Sequence, residues 1–288
     1  MEWASILAVT DGTAGSDAAM VAAIDLGQRF GARVDFLHVA NDPRDLMPYV
    51  GEGMSGIALE QVMTSVEAGN TKRREAVEAS FKRLCSDAGL PQVGPEESVP
   101  AGQFAVSLIV VTGRQPEEIE HRGRLADVIV MPHPALTDAD QSASIDAALF
   151  GTGRPVIVAP AEASKGFGRK VAVAWNGSRE ATIAASAALP LLQAAEEVVL
   201  VTARERDDAI EPSSLARYLA GHGIDAKTWA YTPGSERIAE GLLDQAGRAG
   251  AECLVMGAYG HSRLRERILG GATEGVLRHA KIPVLMMH

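Results

Sequence analysis

The residues best suited to chemistry lie in MGAYGHSRLRERILGGATEGVL, residues 256–277. Gly257 and Gly260 open the stretch after Met256. Nine residues carrying Arg263, Arg265 and Arg267 follow, and Gly270 and Gly271 precede an apolar periodic run that begins with Ala272 and Thr273. Glycine lets backbone N–H groups approach an oxyanion with no Cβ in the way, and a helix start adds partial positive charge. The arginines add long-range attraction or a direct contact. Together these are the parts of a phosphate cradle. A plainer alternative uses the same residues: the glycines make turns, and RLRER is the solvated face of a short helix. Composition alone leaves both open.

Other chemistry-bearing patterns are weak. GEGMSG (51–56) is a literal GxGxxG, but no strand is predicted before it, so it does not read as a dinucleotide fingerprint. There is no GxxxxGK[ST]. His261, His279 and His288 are too scattered for a metal site, and His38 ends a strand as a packed or hydrogen-bonded residue would. No Ser/His/Asp or Cys/His arrangement can be argued from residue order, so no catalytic residue is assigned. Cys85 and Cys253 form no CxxC and read as buried thiols. TKRREAVEASFKR (71–83) mixes charges at helical spacing, as a solvated face does.

The elements that must position the glycine segment are written twice. ADVIVMPHP (126–134) aligns with AECLVMGAY (251–259), LFGTGRPVIV (149–158) with LRHAKIPVLM (277–286), and ILAVTDGTAGSDAA (6–19) with VAVAWNGSREATIA (171–184). Two copies follow, residues 1–160 and 169–288, joined by the small, polar, Gly-containing AEASKGFGRK (161–170). Copy one is longer, mainly through an extra segment near 42–90.

In copy one, strands are predicted at 5–11, 33–40, 104–112, 127–132 and 154–160. Helices are predicted after a Ser16 cap to Gly31, over 58–89, and over 115–125. In copy two, strands are predicted at 170–175, 197–203, 226–231, 252–257 and 283–288. Helices are predicted at 181–193, ended or kinked by Pro190, and at 213–222, 235–250 and 273–280. Alternation of near-continuous apolar strands with helices gives an α/β fold: two tandem, open, doubly wound, five-stranded parallel sheets of Rossmann-like type. Ligands bind such sheets beyond the carboxyl ends of the strands, where strand order reverses. That directs attention to the loops after strands one, two and four.

Bulk composition sets outer bounds. The chain has 288 residues, 47% hydrophobic and 22% charged, enough for two globular cores. A net charge of −10 argues against general affinity for nucleic acid or an anionic membrane. The N-terminal MEWASILAVTDG does not read as a signal peptide, and no apolar run approaches a membrane span of ~20 residues. A cytoplasmic protein is the expectation.

The spacing G-x2-G-x9-G in GAYGHSRLRERILGG resembles the nucleotide-binding signature of the universal stress protein family. The predicted strand order, Asp11 after the first strand and the Pro-led final strands of both copies are similar to that family too. The resemblance implies a tandem member whose adenine nucleotide alpha hydrolase-like domains bind ATP or another adenine nucleotide, with Mg2+ as a candidate companion. It carries the binding role in copy two to Asn176, Thr202, Met256, Gly257, Gly260, Gly270, Gly271, Ala272 and Thr273, with Arg263 and Arg265 beside the phosphates. Two positions depart from the family pattern: Asn176 replaces an aspartate, and Gly271 replaces a hydroxyl residue.

Copy one keeps Asp11 and, closing strand two, Val39, as vestiges. Pro132 and Ala135 stand at the places of Gly257 and Gly260, and Asp138, Asp140 and Asp146 put negative charge where phosphates would lie. Prolines supply no N–H. The loop is also three residues shorter, running from 131 to 155 against 256 to 283.

The expected function is a cytoplasmic, non-catalytic stress-response module that binds nucleotide in copy two only and signals to unknown protein partners. The first alternative is a nucleotide-free interaction scaffold. The second is an adenine-nucleotide-using enzyme, pyrophosphatase-like and adenylating, which would need a better Gly-rich loop after strand one than TDGTAGSD or WNGSRE. The final strands are expected to pair the copies as an intramolecular pseudo-dimer, with a homodimer of whole chains left open.

Overall fold

The computed structural model describes residues 2–42, 56–134, 139–162, 165–203, 211–232, 238–259 and 272–288. The side chains of 56–58 and 139–141 also lie outside the description. So does most of GEGMSG.

Copy one runs β1 (Ser5–Val9), α1 (Ala14–Phe30), β2 (Arg33–Ala40), α2 (Gly56–Ala88), β3 (Ala105–Thr112), α3 (Gln115–Gly123), β4 (Val128–Met131), α4 (Ala139–Gly151) and β5 (Val156–Val158). Copy two runs β6 (Lys170–Ala174), α5 (Arg179–Ala187), α6 (Leu189–Gln193), β7 (Glu197–Ala203), α7 (Pro212–Gly221), β8 (Ala226–Tyr231), α8 (Ile238–Arg248), β9 (Cys253–Gly257), α9 (Ala272–His279) and β10 (Val284–Met287).

Alternate residues of the apolar strands feed two cores, one on each side of the sheet. Ile6 and Ala8, Val34 and Phe36, and Val171 and Val173 enter one cluster; Leu7 and Val9, Leu37, and Ala172 enter the other. Burial on both faces explains why these strands read as unbroken apolar runs. Each cluster draws on both copies, so the halves share their interior.

The sheet order is β3-β2-β1-β4-β5-β10-β9-β6-β7-β8. Among the described residues the strands pair in parallel except β5 with β10, which run antiparallel with Val284 opposite Val158, Leu285 opposite Ile157 and Met286 opposite Val156. Two five-stranded sheets therefore meet through their final strands about a local twofold near Leu285 and Ile157, as expected, and both of those edges are covered. The join at 161–170 is tighter than its composition implied. Phe167 is buried, Asp25 accepts a hydrogen bond from Gly166 N at 3.0 Å, and Arg29 of α1 donates to Phe167 O at 3.1 Å and to Ala194 O. One buried aromatic ring and one arginine turn a linker into a packed seam.

Three local expectations need correction. Thr13, not Ser16, caps α1: its Oγ1 accepts the Ser16 amide at 3.3 Å, because Asp11 fixes Thr13 by accepting its amide. Ser16 sits in the first turn instead, accepting from Gly12 N. The stretch after β4, read as loop for its prolines and aspartates, contains α4; Ile145, Ala148 and Leu149 lie on its buried face, and that apolar spacing holds it to the sheet. The third correction concerns Val39 and follows with the site. Pro190 behaves as predicted, standing in the first turn of α6 just after α5 stops at Ala187.

Candidate functional site

In each half the chain leaves its first strand in one direction and returns for its fourth on the other side. In copy two the reversal falls between β6 and β9, whose neighbours are β7 and β10 respectively. The crevice beyond the carboxyl ends of these strands is the expected ligand position.

Its first wall is the turn after β6. Asn176 Oδ1 accepts the Ser178 amide at 3.0 Å, Gly177 takes a left-handed φ of 71°, and Ser178 caps α5 by accepting the Ala181 amide at 3.1 Å. Copy one builds the same turn from Asp11, Gly12 (φ 81°) and Thr13, with Asp11 Oδ1 accepting Thr13 N at 2.9 Å and Thr13 Oγ1 at 2.7 Å. Asn176 therefore keeps the geometry that Asp11 supplies and drops its charge. The turn needs an oxygen acceptor and a glycine, and both residue types provide the acceptor.

The second wall is the end of β7. The Thr202 hydroxyl is buried and has no hydrogen-bond partner among the described residues. Its counterpart in copy one is His38. The register is fixed by Thr10 N donating to Leu37 O and Trp175 N donating to Val201 O, each one residue earlier. Val39 is thus equivalent to Ala203, and pairing Val39 with Thr202 was one residue out of step. In a strand that error moves a side chain to the opposite face. His38 is buried, as expected, with Nδ1–H donating to Thr10 O at 3.1 Å, while its Nε2 has no partner among the described residues.

The third wall is the end of β9, where Met256 is buried and Gly257 meets the first turn of α5. A Cβ on Gly257 would stand 2.6 Å from Ala181 N, 2.6 Å from the Glu180 carbonyl carbon and 2.8 Å from Glu180 Cβ. The glycine is thus required for the helix to seat on the strand end, whatever else its N–H does. At the aligned positions copy one has Pro132, just beyond β4, and Gly15 in α1, where a Cβ would meet only Thr13 Oγ1, at 3.8 Å, among the described residues.

Glu180 went unnoticed in the sequence. It is 5% exposed, Oε1 lies 4.0 Å from Arg179 Nη1, and Oε2 is buried without a partner among the described residues. The signal that could have found it is the reciprocal exchange itself: Gly15 and Pro132 in one copy, Glu180 and Gly257 in the other.

The far side of the crevice is the start of α9. Thr273 Oγ1 accepts the Tyr259 amide at 3.2 Å, joining the two ends of the glycine segment beside Ala272. Gly260, Arg263, Arg265, Arg267, Gly270 and Gly271 lie outside the described residues, as do Ala135 and Asp138 of copy one and the side chain of Asp140. Among the residues that are described, the fold gathers Asn176, Thr202, Met256, Gly257, Ala272 and Thr273 at one end of the copy-two sheet.

The matching place in copy one is narrow among the described residues. A recess of about 10 Å³ remains between Val9, Asp11, Met131, Pro132, Ser144 and Ile145, room for about one water molecule. The 33-residue α2 lies on the turn, since a Cβ on Gly12 would stand 2.9 Å from Arg73 O. The corresponding helix of copy two, α7, has 10 residues. Burial pushes the Cys253 thiol up to about 12 and raises Cys85 as well, so neither serves as a nucleophile near neutral pH. No helix among the described residues is long and apolar enough to cross a membrane.

Comparison with known proteins agrees with this duplicated architecture. Residues 2–141 and 168–288 each match the sequence model of the universal stress protein family. No curated protein matches the chain. A universal stress protein from Archaeoglobus fulgidus DSM 4304 superposes with a TM-score of 0.62 at 15% identity, over 98% of this chain and 97% of that one. A protein assigned to the same family from Pseudomonas aeruginosa UCBPP-PA14 gives 0.57 at 14% identity, over 99% and 93%. A protein of unknown function from Pseudomonas aeruginosa PAO1 gives 0.57 at 12% identity, over 99% and 92%. At these identities the structural likeness speaks to the fold.

Proposed function

The chain belongs to the universal stress protein family, and we propose that it is a regulatory adenine-nucleotide-binding member whose second domain alone holds the ligand. The domains of this reading are residues 1–160 and 169–288. ATP or another adenine nucleotide lies with its base near Asn176 and Thr202. Its phosphates lie over Met256, Gly257, Gly260, Gly270 and Gly271 and toward the start of α9 at Ala272 and Thr273, with Arg263 and Arg265 as phosphate neighbours. Occupancy then governs contacts with protein partners, and no residue is assigned a turnover role.

The observation that carries this reading is the buried Thr202 hydroxyl, without a partner among the described residues, at the strand-order reversal of the half that keeps the glycine segment; His38 Nε2 is equally unpartnered in the first half, so it is the glycines against Pro132 that separate the two. A buried hydroxyl left unpaired costs stability unless a ligand completes it. The half without the glycines has Pro132 there and a recess of about 10 Å³. Glu180 sets a condition on the ligand, since a buried carboxylate beside Gly257 repels a bare triphosphate. Mg2+ arriving with the nucleotide would offset that charge. A nucleotide-free scaffold is the second reading, favoured by the same carboxylate.

Denaturing the purified protein and identifying released small molecules by mass spectrometry tests the ligand class. Calorimetry tests its position: Gly260→Asp abolishes ATP binding, and Ala135→Asp in copy one leaves it unchanged. ATP titrating into two sites per chain, or into Gly260→Asp as well as the parent, overturns the proposal. No binding at millimolar ATP hands the function to the scaffold reading.

A further inference from the structure

The glycine segment of copy two departs from β9 through Ala258 and Tyr259, and part of what holds these residues comes from copy one. Ala258 N donates to Met287 O at 2.9 Å, and Ala258 O accepts from His288 Nδ1–H at 2.9 Å. Tyr259 has a φ of 50°, the one left-handed non-glycine among the described residues. That conformation is unfavourable for a bulky side chain and persists where surroundings enforce it. One enforcing contact is the bond from Tyr259 N to Thr273 Oγ1.

Another is aromatic. Phe150, near the end of α4, stands with its ring centroid 5.6 Å from that of Tyr259 and 4.7 Å from that of His288, edge-on to the latter. Phe150 belongs to copy one, is 43% exposed and enters neither core cluster. Its ring is therefore spent on the other half of the molecule, at the residue where the glycine segment begins.

We propose that Phe150 is a positioning residue for the copy-two nucleotide site. It holds the Tyr259 turn, and through the Tyr259–Thr273 bond it fixes the separation of the two ends of the glycine segment. This rests on the nucleotide reading above. It also gives the first half, which lacks the glycine segment, a part in binding at the second. Because such coupling is reciprocal, nucleotide in copy two also steadies the end of α4.

The test uses the full-length chain. Phe150→Ala weakens ATP binding about tenfold in calorimetry, the equivalent of one aromatic pair. Its melting temperature without nucleotide stays near the parent's. Phe150→Tyr keeps the ring and restores parental affinity, which also covers any disturbance of α4 by truncation. Hydrogen exchange at the Tyr259 amide quickens in Phe150→Ala and not in Phe150→Tyr. Parental affinity in Phe150→Ala, or equal loss in Phe150→Tyr, overturns the inference while leaving nucleotide binding intact. A parent chain that binds no nucleotide overturns the preceding reading and this inference together.

Discussion

Replacing Gly257 with alanine isolates the packing demand at the end of β9. The added methyl would lie 2.6 Å from Ala181 N and from the Glu180 carbonyl carbon, against 3.4 Å or more for ordinary contact. Both obstructing atoms are backbone in a capped helix, so no side-chain rotation relieves them. Overpacking of this kind costs about 2 kcal/mol, for backbone shifts that a close-packed interior resists. For a chain of 288 residues that lowers the melting temperature by about 3 °C. Glu180→Gly in the same chain removes the 2.8 Å contact with Cβ and leaves both backbone contacts, so it recovers only part of the loss. Gly15→Ala is the internal control. Its nearest atom is Thr13 Oγ1 at 3.8 Å, and alanine in that helical turn raises stability by about 0.5–1 kcal/mol. Thermal and urea melts of the three variants decide the matter. A Gly257→Ala protein as stable as its parent refutes the claim that α5 requires the glycine.

Two further outcomes are expected. Glu180→Gln removes a buried charge beside the proposed phosphates, and ATP measured in EDTA should bind about tenfold or more tightly while adenosine binds as before; equal gains for both ligands would show that the carboxylate faces no phosphate. Burial alone would raise the Glu252 carboxyl, but hydrogen bonds and charge from Arg169 outweigh it and hold it below the usual 4.5. Its contribution to stability is therefore present above that value and lost as pH falls below it, so Glu252→Gln should flatten the acid limb of an unfolding curve; an unchanged limb assigns the acid sensitivity to other carboxylates.

Most strands were legible because they are largely apolar on both faces, and β2, β7 and β8 fall at the predicted residues, although β8 carries Lys227 and Thr228 and is mostly exposed. The twofold join was legible in the two short Pro-led strands. What escaped the sequence was set by tertiary contact. Thr13 outcompetes Ser16 as cap because Asp11 orients it, which spacing alone does not show. Helix α4 was hidden by Pro132, Pro134 and three aspartates, while its hold on the sheet comes from Ile145, Ala148 and Leu149. The one-residue slip between Val39 and Thr202 arose because both strands end in similar apolar residues, and backbone bonds to Leu37 and Val201 were needed to set the register. Asn176 and Thr202 were found through a family signature. Glu180 was missed because the signature has no place for it.

Native mass spectrometry of the full chain titrated with ATP and Mg2+ measures the central claim, an asymmetric pair of halves, without assuming where the ligand sits. One nucleotide per chain is expected, lost in Gly260→Asp and retained in Ala135→Asp. Two nucleotides per chain, or one that survives Gly260→Asp, would contradict the account.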